Sequence, residues 1–302
     1  MLPEPETITF LPADGLETFE GIIVDVRTPE AYSEAYIENA VNHPVYQVDF
    51  MEKFPEAYPD KSTKVLVYGD GDPYKADLAA VGRLQFLGYT NVCILEGGLS
   101  QWRAESRPVL GSGSTSAAPV SGKLALDTDR TKVRWVGRNL TNQHNGEIAS
   151  TSGFLEIDAS GNPLSGQVTV DMRQMVCLDL TDKSLAAGLI GHLASSDFFE
   201  VEKYPEASFE LGKATPIENA TYGLPNFSVS GLLSARGLAL PITIEALIEP
   251  IQDGYVFQSV FSFDRTQIGA LYGSGRIFER LGMHLVNDLV SLDILAFFTV
   301  SK

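Results

Sequence analysis

The stretch Val65-Leu66-Val67-Tyr68-Gly69-Asp70-Gly71-Asp72-Pro73-Tyr74-Lys75 decides how the first third of the chain folds. Four apolar residues without alternation suit a strand buried on both faces, and the Gly-Asp repeat then breaks it into a loop. Beyond the loop, Ala76, Ala80, Leu84 and Leu87 recur at helical spacing over 74–87. Similar short apolar runs lie at 22–24 and 92–95, again separated by helix-like segments. Buried strands alternating with helices predict a parallel α/β sheet.

Working outward, residues 111–122 read GSGSTSAAPVSG, small and polar, and predict a flexible linker between a domain over 1–110 and another over 123–302. A chain of 302 residues with 44% hydrophobic side chains has material for two cores. After the linker the texture changes to period-two alternation. Val133 and Trp135 flank Arg134; Val168 precedes Val170; Ala207, Phe209 and Leu211 share one face, as do Phe261 and Phe263. One helix stands out, over about 183–195, with Leu185, Leu189, His192 and Leu193 on one stripe. An antiparallel barrel with a helical insertion is expected, and such a barrel must fill its lumen with side chains or with a ligand. The last strand, Val290 to Val300, is apolar on both faces, which predicts lumen on one side and the inserted helix on the other.

Charge and cysteine content narrow the function. The 39 acidic residues against 22 basic ones, a net charge of −17, disfavour nucleic acid and anionic membrane surfaces as partners. Two cysteines, Cys93 and Cys177, make neither a disulfide framework nor a thiolate metal site. No basic leader opens the chain and no apolar run approaches ~20 residues. These features predict a soluble cytoplasmic protein without a transmembrane segment, or a periplasmic one if a leader has been removed.

The first hundred or so residues resemble the rhodanese sulfurtransferase family on three segments: Asp25-Val26-Arg27, the run Val65 to Tyr68 with its loop, and Leu95-Glu96-Gly97-Gly98 before Trp102. In that family the loop after the strand presents a nucleophilic cysteine to a cradle of backbone amides. Here the position after Tyr68 is Gly69. The degenerate loop Gly69, Asp70, Gly71, Asp72 and Lys75 therefore implies no catalytic residue and no sulfur transfer, and Asp70 and Asp72 place negative charge where an anionic donor would bind. A docking module for a protein partner is the expectation. Arg27 is positioned to pair with Asp70 or Asp72.

The second domain resembles the YceI-like family, lipocalin-like barrels associated with polyisoprenoid lipids and quinones. The resemblance rests on VRWVGRNLTNQHNGEI at 133–148, GLIGHLASSDFFEVEKYPEASFEL at 188–211, VSGLLSARGLALPITI at 229–244 and FDRTQIGALYGSG at 263–275. It implies binding of an amphipathic isoprenoid-type lipid or quinone, with no required cofactor and no metal. The candidate ligand contacts are Arg138, His144, His192, Phe198, Arg265 and Tyr272. Arginine offers planar donors to a polar headgroup, and Tyr272 combines a ring for the chain with a hydroxyl for its polar end. His192, on an apolar stripe, also reads as a hydrogen-bonded core residue, and Arg265 as an ion-pair partner of Asp264. A sulfurtransferase-related enzyme and a scaffold with a filled barrel are the alternatives, and a homodimer is left open.

Overall fold

The computed structural model describes residues 8–71, 75–113 and 120–300. Asp72 and half of the expected linker, 114–119, lie outside them. The chain divides into two compact units, Met1–Ser116 and Ala117–Lys302. Residues at the start of the linker stretch belong to the first unit: Ser112 donates through its amide and hydroxyl to Ser33 O, at 2.9 and 3.0 Å.

The first unit is a parallel sheet of β1 (Thr9–Leu11), β2 (Ile22–Asp25), β3 (Ala40–Asn42), β4 (Val65–Tyr68) and β5 (Val92–Leu95) in the order β1-β5-β4-β2-β3. Helices α1 (Pro29–Glu34), α2 (Phe50–Ala57), α3 (Ala76–Phe86) and α4 (Gly98–Ala104) connect and cover it. The unbroken run in β4 is explained by two cores. Val65 and Val67 pack with Phe50, Phe54, Ala80 and Leu84 on one face, while Leu66 and Tyr68 pack with Ile37, Leu99 and Trp102 on the other. Every β4 side chain is fully buried, so no position along it can be polar without a partner. Tyr68 meets that condition, its hydroxyl accepting from the Ile37 amide at 3.0 Å.

The second unit is a closed antiparallel barrel of β6 (Gly122–Leu126), β7 (Lys132–Arg138), β8 (Gln143–Ile157), β9 (Pro163–Cys177), β10 (Glu206–Pro216), β11 (Phe227–Ala235), β12 (Leu238–Ile251), β13 (Gly254–Asp264) and β14 (Leu289–Thr299). Successive strands pair from β7 to β14, and β14 pairs back to β7. Short β6 continues the β7 position at the other end, pairing with both β8 and β14. Eight strand positions therefore close the ring, which removes the unpaired edges an open sheet would carry.

Helix α5 (Lys183–Ala194) follows β9 and starts on Asp182, whose carboxylate accepts from the amides of Ser184 and Leu185. Its Leu189, Ile190 and Leu193 pack against Val133, Trp135, Met172 and Met175. This differs from the expectation that the helix covers the outer face of β14. On that face the Arg130 guanidinium lies 4.1 Å from the centroid of the Phe297 ring.

Candidate functional site

In the barrel, alternation turns every second side chain inward, and the upper part of the lumen is left unfilled. A cavity of about 130 Å³ is lined by Trp135, Val170, Met175, Leu193, Phe263 and Leu292 among other apolar side chains. A smaller one of about 40 Å³ lies deeper, bounded by Leu155, Leu211, Phe257 and Phe298. Phe261 and Phe263, aromatic residues that could have plugged the lumen, line the upper cavity. Polar groups reach it at the end where β7 stops and β14 begins, through Arg138, Arg265 and Asn287.

The six expected ligand contacts divide into two sets. Arg138, Phe198 and Arg265 line the cavity. His144, His192 and Tyr272 are outside its lining and engage carboxylates or rings. His144 Nδ1 is 2.8 Å from Asp179 Oδ2, and the Asn145 amide donates to Asp179 Oδ1 at 2.8 Å. Burial pushes the Asp179 carboxyl up, but donors from the Asn145 amide, His144 and Cys177 outweigh it and hold the group at about 2. His192 Nε2 is 3.2 Å from Asp197 Oδ2, and its ring packs edge-on to Phe198 at 5.0 Å and Tyr272 at 4.6 Å. These three rings form one aromatic cluster in which Phe198 alone meets the cavity.

The two arginines are held differently. Arg265 is fully buried, and its guanidinium donates to the carbonyls of Val286, Asn287 and Ala270. Asp288, 3.6 Å away, is its nearest carboxylate, whereas the adjacent Asp264 pairs with Arg276 at 2.7 Å. Burial lowers the affinity of Arg265 for its proton, against the raising influence of Asp288 and Asp264, yet a guanidinium stays charged. Arg138 is half-buried, and among the described residues its side chain has one hydrogen bond, Nη1 to Ser291 Oγ at 2.8 Å, and no carboxylate partner. It is thus a guanidinium at the cavity's rim with donors to spare.

Asn287 and Val286 were not legible as lining residues. They lie in an irregular segment without periodicity, and reach the lumen because Asn139 bridges to Val286 and the Asn287 amide donates to Arg138 O at 2.8 Å. Trp135 had a signal that needed the register: it faces Gly146 across the β7–β8 pair, and a side chain at Gly146 would come within 2.7 Å of the indole.

In the first unit, Arg27 joins Asp25 to the loop. It donates to both Asp25 oxygens and to Ala35 O, and its Nη1 is 3.2 Å from Asp70 Oδ1. The carbonyls of Gly69 and Asp70 accept from the amides of Leu99 and Ser100, which uses the first turn of α4. A Cβ built on Gly71, at φ +97°, would lie 2.2 Å from Gly97 O, so the loop passes the Gly97-Gly98 turn at a distance only glycine permits. Gly69 is different: its Cβ would meet Ala76 Cβ at 3.4 Å and the Asp77 amide at 3.6 Å, ordinary contacts at the start of α3. A cysteine fits there sterically, but buried Asp77 brings a carboxylate to the same helix start. Burial pushes the Tyr46 hydroxyl up, and the nearby charges of Asp70 and Asp77 add to it. Lys75 precedes α3. Among the described residues no group of three or more His, Cys, Asp or Glu could hold a metal ion, and no helix is long and apolar enough to cross a membrane.

Comparison with known proteins agrees with this division. The family model described as rhodanese-like domain matches residues 13–105, and the one described as YceI-like domain matches 124–298. A thiosulfate sulfurtransferase of Escherichia coli, PspE, is 33% identical over 69 residues, covering 23% of this chain and 62% of that protein. The chain spans about three fifths of the length of the curated relatives it matches. Among solved structures, BcnA of Burkholderia cenocepacia is 22% identical, covers 57% of this chain and 98% of that one, and superposes with a TM-score of 0.44. A polyisoprenoid binding domain from Saccharophagus degradans is 12% identical, with 60% and 100% coverage and a TM-score of 0.43. With more than half of its length matched by that family's model, this chain belongs to the YceI-like family and carries a rhodanese-like domain ahead of the barrel.

Proposed function

We propose that the barrel binds an amphipathic isoprenoid-type lipid or quinone, its chain in the apolar lumen and its polar end at Arg138, and that the rhodanese-like domain is a docking module without sulfur transfer. The observation that carries the reading is a polar end on a largely apolar cavity: a guanidinium with no carboxylate partner among the described residues, beside Asn287, above a lining of aliphatic and aromatic side chains. Burying a hydrocarbon chain contributes ~25 cal/mol per Å², so affinity comes from the chain and orientation from the arginine. Arg265 and Phe198 complete the wall at this end, with His144, His192 and Tyr272 behind it.

Mass spectrometry of an organic extract of the purified protein tests this, the expected result being a co-purified prenyl lipid or quinone. Arg138→Ala should weaken a short-chain ubiquinone by ~1–3 kcal/mol while leaving a prenyl hydrocarbon of equal length almost unaffected, because only the former accepts a charge-assisted hydrogen bond. Equal loss of both ligands would remove Arg138 from the site. The scaffold reading has one observation in its favour, since about 130 Å³ is below the roughly 300–1,000 Å³ usual for a ligand pocket. An empty extract and no binding of either ligand would decide for it.

For the rhodanese-like domain, the absence of a thiol at Gly69 supports inactivity, because persulfide formation needs a thiolate nucleophile. Thiosulfate and cyanide should give thiocyanate no faster than without protein. Gly69→Cys should restore weak turnover at most: the side chain fits, but the loop carries Asp70 and Asp72, whose negative charge would raise a nearby thiol's pKa and repel an anionic donor. Turnover matching an active sulfurtransferase from this one change would refute the electrostatic argument.

A further inference from the structure

The two cavities of the barrel share three lining residues, Val168, Phe209 and Ile294. Val168 and Phe209 are direct partners across the β9–β10 pair, and Ile294 stands on β14, four strands round the ring. Phe209 has the largest side chain of the three. It packs against both the deep core and the upper core, and its ring leans along β11 over Gly231, where a Cβ would lie 2.6 Å from Phe209 Cζ. It therefore borders both cavities, its ring seated in a berth that a glycine leaves open.

We infer that Phe209 is the partition that sets the length of chain the barrel accepts. The inference rests on the barrel being a container for a prenyl chain. A cavity of ~150 Å³ holds a molecule the size of benzene, so the upper chamber, at about 130 Å³, takes on the order of one isoprene unit without rearrangement. The deep chamber, at about 40 Å³, is too small to hold a unit alone. A longer chain must enter the deep chamber past Phe209, and close-packed interiors resist such displacement. Beyond the length that fills the upper chamber, added units either pay for moving the ring or remain outside the lumen, where they add no burial.

The test uses the full-length protein, with the C5, C10 and C15 prenols (3-methylbut-2-en-1-ol, geraniol and farnesol) as probes and calorimetry as the readout. In the wild type, affinity should stop rising after the C5 alcohol, whose single unit fills the upper chamber. Phe209→Ala should bind geraniol and farnesol about tenfold more tightly than the wild type does, with the C5 alcohol within about twofold. Phe209→Leu, which keeps an apolar side chain in the layer, should show the same trend to a smaller degree and serves if the alanine variant does not fold. Affinity that rises steadily with length in the wild type, or an unchanged length profile in the folded variants, would overturn the partition and leave the container standing. No binding of any prenol by any of the proteins would defeat the container reading and the partition with it.

Discussion

Arg27→Ala is expected to destabilise the first unit by about 3–5 kcal/mol, the usual cost of removing one partner of a buried ion pair. Asp25 is 0% exposed and Arg27 5%. Asp25 Oδ1 accepts from the Arg27 amide and Nε at 3.0 Å each, and the guanidinium also supplies Ala35 O and Asp70 Oδ1. Truncation leaves a carboxylate in the interior without its cation, held by the Arg27 amide and the Tyr68 hydroxyl, and removes the tie between the end of β2 and the Gly69-Asp70 loop. Hydrogen exchange should show lost protection in β2 and β4 with the barrel strands unchanged. The cause can be separated from lost packing. If the unpaired charge dominates, Asp25→Ala combined with Arg27→Ala should be less unstable than Arg27→Ala alone, because no buried charge remains. A double variant as unstable as the sum of the singles would assign the cost to packing.

The fold was largely legible because burial imposes periodicity. Val65 to Tyr68 is buried on both faces and reads as an unbroken run, while Val168 with Val170 and Phe209 with Leu211 alternate about the lumen wall. The placement of α5 was not legible, since the apolar outer side of β14 could be covered by a helix or by an arginine stem, and Arg130 over Phe297 leaves no mark in the pattern. The candidate site was legible by residue type and less so by role. Arginines and histidines near turns are visible in a sequence. Which of them meets the cavity depends on partners far along the chain: Asp179 for His144, the 286–288 segment for Arg265, Ser291 for Arg138. Asn287 enters the wall through its amide's bond to Arg138 O and its carbonyl's bond from Arg265, and nothing in its neighbours' composition announces that.

The contrast between the two cavity arginines yields the second large effect. Arg265→Ala is expected to cost the barrel about 3–5 kcal/mol and to lower its melting temperature by roughly 10 °C. Arg265 is 1% exposed, and its side chain supplies three main-chain carbonyls within the irregular segment that joins β13 to β14. Its backbone is bonded there as well, its amide to Asp288 O at 2.9 Å and its carbonyl to the Ala270 amide. Alanine would strand those carbonyls in the interior. It would also leave Asp288 to Arg276 alone, at 3.3 Å to the other oxygen. The guanidinium's position 5.4 Å from the Phe198 ring centroid would be lost too, loosening the aromatic cluster beside the cavity. Such a variant should lose a short-chain ubiquinone and a prenyl hydrocarbon together, with exchange protection falling over 266–288. Arg265→Lys should recover little, because an ammonium cannot hold three carbonyls in the planar arrangement that a guanidinium spans. Unchanged melting with selective loss of the quinone would instead make Arg265, rather than Arg138, the anchor of the polar end.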